Sequence, residues 1–443
     1  MSSELLRLHS CFHSEIMQIG PNQIHDFNQR LTSDHAKRFD FLRDQLARKG
    51  VDVESVVRQI TEMQVAIPSW ALGTGGTRFG RFSIGGEPRN LEEKIEDVGL
   101  LHALTQSAGA ISLHIPWDIP EDVNAIKELA TSHGIVFDAV NSNTFQDQRS
   151  QKHSYKFGSL SHTDAATRTQ AVQHNKDVID IGQSLGSKAL TVWLADGSSF
   201  PGQQNFRKAL EATLTSLKEI YAYMPYDWKM FIEYKPFEPN FYSMVIPDWG
   251  TAHLLAKECG ERAYCLVDLG HHLPNTNIEQ IVATLLWLGK LGGFHFNDSQ
   301  YADDDLTVGS LRPYQLFLIF NELVHGMHDN RSNNPAIAWM IDASHNVKDP
   351  LEDLMQSLEA IKLAYAQSLI VDFDMLAEAR QANDVTRAQD ILQDAFRTDV
   401  RPLVREARRK SGGALEPIAL YRDAGVRKGL IEERGRDSKS TGL

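Results

Sequence analysis

The chain has 443 residues, 42% of them hydrophobic and 23% charged, with a formal net charge of −13. That acidic balance excludes a broad nucleic-acid binder, which needs a basic stripe, and the best basic cluster, residues 405–410, reads as a solvated helix end. No apolar run approaches the roughly twenty residues needed to span a bilayer, and residues 1–9 lack a secretory signal pattern, so a cytoplasmic protein without membrane or nucleic-acid partners is expected.

In chain order, residues 22–64 read as helices, with Phe27, Leu31, Phe39, Phe41, Leu42 and Leu46 spaced among charges, and residues 1–64 form an N-terminal helical segment. A short apolar strand, a polar loop and a helix then recur eight times. The strands fall at 66–72, 110–117, 135–142, 189–194, 230–236, 264–269, 292–297 and 338–343, with helices such as 164–185, 206–223, 249–258, 278–288 and 313–324 between them. Strands apolar on both faces suggest a parallel sheet covered by helices. The expected fold is therefore an α/β closed (β/α)8 TIM barrel over residues 65–349. A doubly wound open sheet is the alternative, but no strand is followed by GxGxxG, and Gly73-Thr74-Gly75-Gly76-Thr77 lacks the Walker lysine. The three cysteines, Cys11, Cys259 and Cys265, have no CxxC spacing and indicate neither a disulfide framework nor a thiolate zinc site. Helices at 350–367, 372–382, 385–396 and 400–411 make a C-terminal extension over 350–427, long enough to clamp a neighbouring subunit. Residues 428–443 are polar and charge-mixed and are expected to be disordered.

Acids and imidazoles cluster at the C-terminal ends of the strands, where a parallel barrel carries its chemistry. Strand five ends Glu233-Tyr234-Lys235, and alternation points Glu233 and Lys235 to the same side. Strand six ends at Asp268, with His271 across Gly270. Strand seven supplies His295, followed by Asn297, Asp298 and the pair Asp303 and Asp305. Strand eight ends Asp342-Ala343-Ser344-His345. Singly, each has an ordinary explanation: a helix cap, a satisfied core histidine or a solvated loop. Together, Glu233, Asp268, His295 and Asp342 would be very costly to bury uncompensated, and a divalent cation resolves that cost. Asp268, His271, Asp303 and Asp305 suffice for a second ion, with Asp268 as the bridge. Lys235 reads as holding a substrate oxygen, or else as an ion pair with Glu238. His114 would contact a hydroxyl or shuttle a proton, and Trp193 and Phe145 would form an apolar wall.

In this order the segments Pro68-Ser69-Trp70 with Gly73-Thr74-Gly75-Gly76-Thr77-Arg78-Phe79, Leu113-His114-Ile115-Pro116-Trp117-Asp118, Asn141-Ser142-Asn143-Thr144-Phe145, Trp193, Glu233-Tyr234-Lys235, Val267-Asp268-Leu269-Gly270-His271-His272, His295-Phe296-Asn297-Asp298-Ser299, Asp303-Asp304-Asp305 and Ile341-Asp342-Ala343-Ser344-His345-Asn346 resemble the L-rhamnose isomerase family. That family lies within the xylose isomerase-like group of metal-dependent barrels. The resemblance covers about residues 30–425. It implies a homotetrameric ketol isomerase using two divalent ions, usually manganese, with cobalt, magnesium or zinc as alternatives. By motif, Glu233, Asp268, His295 and Asp342 would hold a structural ion, and Asp268, His271, Asp303 and Asp305 a catalytic one. Lys235, His114, Asp342 and Ser344 become the catalytic candidates, and Trp193, Phe145 and Phe79 would set the choice between L-rhamnose and another aldose such as D-allose. The rival readings are a single-metal sugar epimerase or lyase on the same barrel, and a sugar-binding barrel that metal merely staples.

Overall fold

The computed structural model describes residues 19–75, 82–301, 303–329, 336–345 and 347–440. Eight barrel strands run β1 Ala66–Pro68, β2 in two pieces (Ala110–Ser112 and His114–Ile115), β3 in two pieces (Val136–Phe137 and Val140–Ser142), β4 Ala189–Val192, β5 Lys229–Glu233, β6 Ala263–Asp268, β7 Leu291–Phe296 and β8 Ala338–Ile341. All neighbouring pairs are parallel, and β8 returns to β1 with Ala66 opposite Met340. The lower pieces of β2 and β3 pair through Ala110 and Val136, the upper pieces through His114 and Asn141. Across the breaks, Asp138 N donates to Ile111 O and Asn141 N to Leu113 O, both at 2.9 Å, so the ring is closed. The expected (β/α)8 barrel is thus observed.

Alternation sorts the strands as a barrel requires. Ile67, Ile111, Val140, Leu190, Ile232, Val267, Phe294 and Ile341 join the main core with the surrounding helices. Small clusters of Ala139, Ala189, Phe231 and Leu266, and of Ala66, Ala110 and Met340, are separate from it. Gly293 lets β7 lie close to β8, since a Cβ there would sit 2.8 Å from Ala338 O. Helices start at capping side chains: Asp164 accepts from Thr167 N, Asn205 from Lys208 N, Asp248 from Thr251 N and Asn277 from Gln280 N.

Two expectations are corrected. The first strand ends at Pro68, and Ser69–Leu72 forms a 3-10 turn, because Ser69 Oγ donates to buried Asp118 (2.5 Å) and turns the chain. The segment from 428 is ordered through 440, with a helix over Val426–Arg434. Arg434 of this segment has a buried partner, its Nη1 donating to Asp97 (2.8 Å), and backbone groups anchor the rest, with Gly86 N donating to Gly435 O (2.9 Å) and Ser440 N to Glu87 (2.9 Å). Residues 441–443 lie outside the described residues. The N-terminal and C-terminal helices are one layer, since Phe39, Leu42, Leu46, Val56 and Ile60 pack with Val400, Leu403 and Val404. No helix is long and apolar enough to cross a membrane among the described residues. Cys259 and Cys265 are free thiols, and Cys11 lies outside the described residues.

Candidate metal centre and active site

Barrel register brings the strand-end ligands to one level. Asp268 on β6 lies opposite His295 on β7, His295 lies opposite Met340, and Asp342 follows Met340 by two residues, on the same face. His295 Nδ1 is 3.1 Å from Glu233 Oε1, 3.5 Å from Asp342 Oδ2 and 3.7 Å from Asp268 Oδ2. His271 Nδ1 lies 3.2 Å from the same Glu233 oxygen. Two triads result, Glu233–Asp268–His271 and Asp268–His295–Asp342, each with its ligand atoms within 4.8 Å of one another. Asp268 belongs to both, the place expected of a bridging ligand.

The electrostatics are those of an anionic cage balanced by protons. Burial pushes the Asp342 carboxyl up to about 7 and also raises Asp268. Burial opposes the charges on Glu233 and His295, yet their mutual attraction wins: Glu233 is held down to about 2 and His295 is lifted to about 9. Asp268 supplies the test of whether a metal fits. Its Oδ1 accepts from Gly270 N (2.7 Å), Asn297 Nδ2 (2.9 Å) and His271 N (3.2 Å), whereas its Oδ2 is buried with no hydrogen-bond partner. A sequestered carboxylate oxygen without a donor is what a cation would satisfy. Carboxylate and imidazole donors without thiolate suit manganese, magnesium, cobalt or zinc. The residues therefore fit a divalent ion, which Glu233, Asp268, His295 and Asp342 would hold.

The residues expected to hold a second ion are only partly assembled. His271 Nδ1 donates to Tyr234 O (3.0 Å), and Nε2 lies 3.0 Å from Asp303 Oδ1. Asp303 Oδ2 is taken by Lys235 Nζ at 2.5 Å. Asp305 accepts from Ser344 Oγ (3.1 Å) and Asn297 Nδ2 (3.4 Å), and burial beside Asp303 and Asp342 raises its carboxyl well above the usual range. Neither Asp303 nor Asp305 belongs to a tight triad with Asp268 among the described residues. Both have left-handed backbones, φ 50° and 49°, which aspartate tolerates better than most residues.

A cavity of about 480 Å³ stands over this cluster, lined by Trp70, His114, Trp117, Phe145, Trp193 and Lys235 beside the candidate ligands Glu233, His271, His295, Asp303, Asp305 and Asp342. Its walls are aromatic: His114 lies 4.3 Å from Trp117 and 5.5 Å from Phe145, and Phe145 lies 4.8 Å from Trp193, centroid to centroid. Burial drives His114 down to about 3, so its ring is neutral, and its Nδ1 has no partner. Asp118 fixes its backbone, accepting from His114 N (2.8 Å) and from buried Lys94 (2.6 Å). Lys235 is a firm cation: burial opposes its charge, but Asp303 and Glu238, each 2.5 Å away, raise its pKa, and it lies 5.2 Å from the Trp193 ring. Ser344 reaches Asp305, and Phe79, with the rest of 76–81, lies outside the described residues. A larger groove of about 1180 Å³ between the terminal helices contains none of these residues.

Two participants carried little signal of their own in the sequence. Trp70 Nε1 donates to Asp342 Oδ1 at 2.9 Å, a contact made by the 3-10 turn Ser69–Leu72, where the sequence pattern predicts strand. Glu238 was visible only as an ion-pair partner for Lys235, and it shares that lysine with Asp303.

A closed parallel barrel whose aromatic pocket and carboxylate–imidazole cluster share its C-terminal rim defines a class of TIM barrels with a candidate metal site at that rim. Within it, the chain belongs to the xylose isomerase-like TIM barrel family, which matches residues 103–360. It is 54% identical over 396 residues to a probable sugar isomerase of Rhizobium meliloti (strain 1021), covering 89% of this chain and 92% of that protein. A probable sugar isomerase of Mesorhizobium japonicum is 54% identical over 394 residues, covering 89% and 91%. Among solved structures, an L-ribulose 3-epimerase is 12% identical with a TM-score of 0.49, covering 73% of this chain and 98% of that one.

Proposed function

We propose that the protein is a metal-dependent aldose–ketose isomerase that interconverts L-rhamnose and L-rhamnulose by moving hydrogen between C1 and C2 of the open-chain sugar. The observation that carries this reading is the sharing of Asp268 by two ligand triads at the floor of a cavity sized for a monosaccharide. A bound divalent ion, manganese in the first instance, would polarise the carbonyl and lower the pKa of a neighbouring hydroxyl. The chain supplies the remaining work. Trp117, Phe145 and Trp193 exclude water and offer an apolar wall to the C–H faces and the methyl group of a 6-deoxy sugar. His114, neutral, exchanges a hydrogen bond with a sugar hydroxyl. Lys235 Nζ donates to a sugar oxygen, and Asp342, whose Oδ1 accepts from Trp70 Nε1, would keep its other oxygen for the ion. The same reading includes a homotetramer built through the C-terminal helices.

Reconstituting metal-stripped protein with manganese and assaying it against L-rhamnose, D-allose and other aldoses tests the proposal. Ketose formation fastest from L-rhamnose is expected; turnover of D-allose alone moves the substrate, and epimer formation without ketose replaces the reaction. A single-metal epimerase is the second reading, favoured by one observation: Asp303 and Asp305 are engaged by Lys235 and Ser344. One ion per chain, together with full activity after Asp303→Asn, would support it. Stabilisation by manganese without turnover of any sugar would leave only a binding protein.

A further inference from the structure

We infer that Asp353 and His345 form a positioning dyad, outside the ligand set, that fixes the spacing between the three loops carrying Trp70, Asp305 and Asp342. The inference rests on the metal-site reading above and adds residues to it. His345, three residues beyond Asp342, is fully buried, and both its ring nitrogens are engaged. Nε2 lies 2.9 Å from Ala71 O in the turn after β1, and Nδ1 lies 2.6 Å from Asp353 Oδ2 on the helix Pro350–Leu369. A carbonyl oxygen only accepts, so Nε2 carries a proton. The other oxygen of Asp353, also buried, accepts from Thr307 Oγ1, two residues past Asp305, and from Lys348 Nζ at 2.8 Å.

One carboxylate of the C-terminal extension therefore reaches three catalytic loops. Through His345 it holds the turn whose Trp70 donates to Asp342. Through Thr307 it holds the loop of Asp305, which is joined a second time to the β8 loop by Ser344 N donating to Asp305 O (2.9 Å). His345 N also donates to Gly75 O (3.2 Å), at the start of the glycine-rich loop. Groups that orient metal ligands from outside the ligand set typically govern affinity by about 10–100-fold. This network has that form, with the helical extension as its fixed point.

The test compares wild type with Asp353→Asn, His345→Ala and the milder Thr307→Val. Manganese binding to metal-stripped protein is read by calorimetry, and kcat, KM and the melting temperature of the metal-free protein are read alongside. Manganese affinity is expected to fall about 10–100-fold in the Asp353 and His345 variants and several-fold in Thr307→Val. The kcat at saturating manganese should fall more than KM rises. If the metal-free proteins melt lower but bind manganese and turn over as wild type does, the dyad is merely structural and the inference is overturned. Should the first two variants fail to fold, Thr307→Val decides: unchanged affinity overturns the inference. A wild-type protein that binds no manganese sinks the metal-site reading itself, an outcome distinct from intact binding in every variant.

Discussion

Asp342 Oδ2 lies 3.5 Å from His295 Nδ1, and the pair shows how this barrel handles charge. Neither residue is paired by sequence proximity; the parallel register of β7 and β8 brings them together. Without a cation the cage keeps Asp342 near 7 and His295 near 9, so protons occupy the positions a metal would compete for.

Asp268→Asn should separate binding from folding. The carboxylate is buried, its Oδ2 has no donor, and burial raises its pKa, so in metal-free protein it is a liability. The variant is expected to melt higher than wild type in the presence of EDTA, yet to lose more than about 100-fold in manganese affinity and essentially all turnover. Melting curves with and without manganese check both halves; a variant that is less stable without metal contradicts the argument.

Metal binding should strengthen steeply with pH. Asp342, raised to about 7, favours the folded metal-free state while protonated, and that preference is lost as pH climbs from the ordinary carboxylate range through 7. His295, raised to about 9, contributes stability that is full below its ordinary value and lost as pH rises through 9. Both signs agree. EDTA-treated protein should lose melting temperature between pH 6 and 9, while manganese affinity increases over the same window because the ion displaces protons. Calorimetry in buffers of different ionisation enthalpy would count the protons released.

The barrel was legible because its signals are repeated and local. Apolar strands such as 264–269 and 292–297 end in polar residues, and capping residues such as Asp248 and Asn277 mark where helices begin. The convergence of Glu233, Asp268, His295 and Asp342 followed from alternation plus closure. What stayed hidden depends on side chains meeting across loops. Trp70 reaches Asp342 from the turn in which Ser69 also donates to Asp118, and no periodicity reports that turn. The charged segment from 428 looks solvated until its partners on the helix Leu91–Thr105 are seen, since composition cannot distinguish an arginine in water from Arg434 against Asp97.

Glu238→Gln tests how Lys235 is shared. The ammonium now divides itself between Glu238 and Asp303, each at 2.5 Å. Removing the charge at Glu238 leaves Asp303 as its sole carboxylate in that set and tightens that pair. Asp303 then becomes a poorer ligand, and Lys235 is less able to turn toward a sugar. A several-fold weaker second manganese-binding step and a comparable fall in kcat are expected. Isothermal titration resolves the steps; identical stoichiometry and affinity in the variant would show that Asp303 does not exchange partners.

Far from the pocket, Glu406→Gln should cost stability without touching catalysis. Glu406 on the helix Arg401–Lys410 accepts from Arg409 (2.7 and 2.8 Å) and lies 2.9 Å from His35 on the helix Thr32–Arg48, joining the two terminal segments. Burial would raise its carboxyl, but Arg409 and His35 hold it down to about 2. A depressed acid stabilises above its ordinary pKa and loses that contribution as pH falls toward 2. The substitution should therefore destabilise by about 1–3 kcal/mol at pH 7, the range for hydrogen bonds to a charged group, and by much less near pH 3. Urea midpoints at the two pH values measure the difference, with kcat and KM at pH 7 unchanged. An equal loss at both would assign the effect to packing between the helices, leaving the ion pair with no share in it.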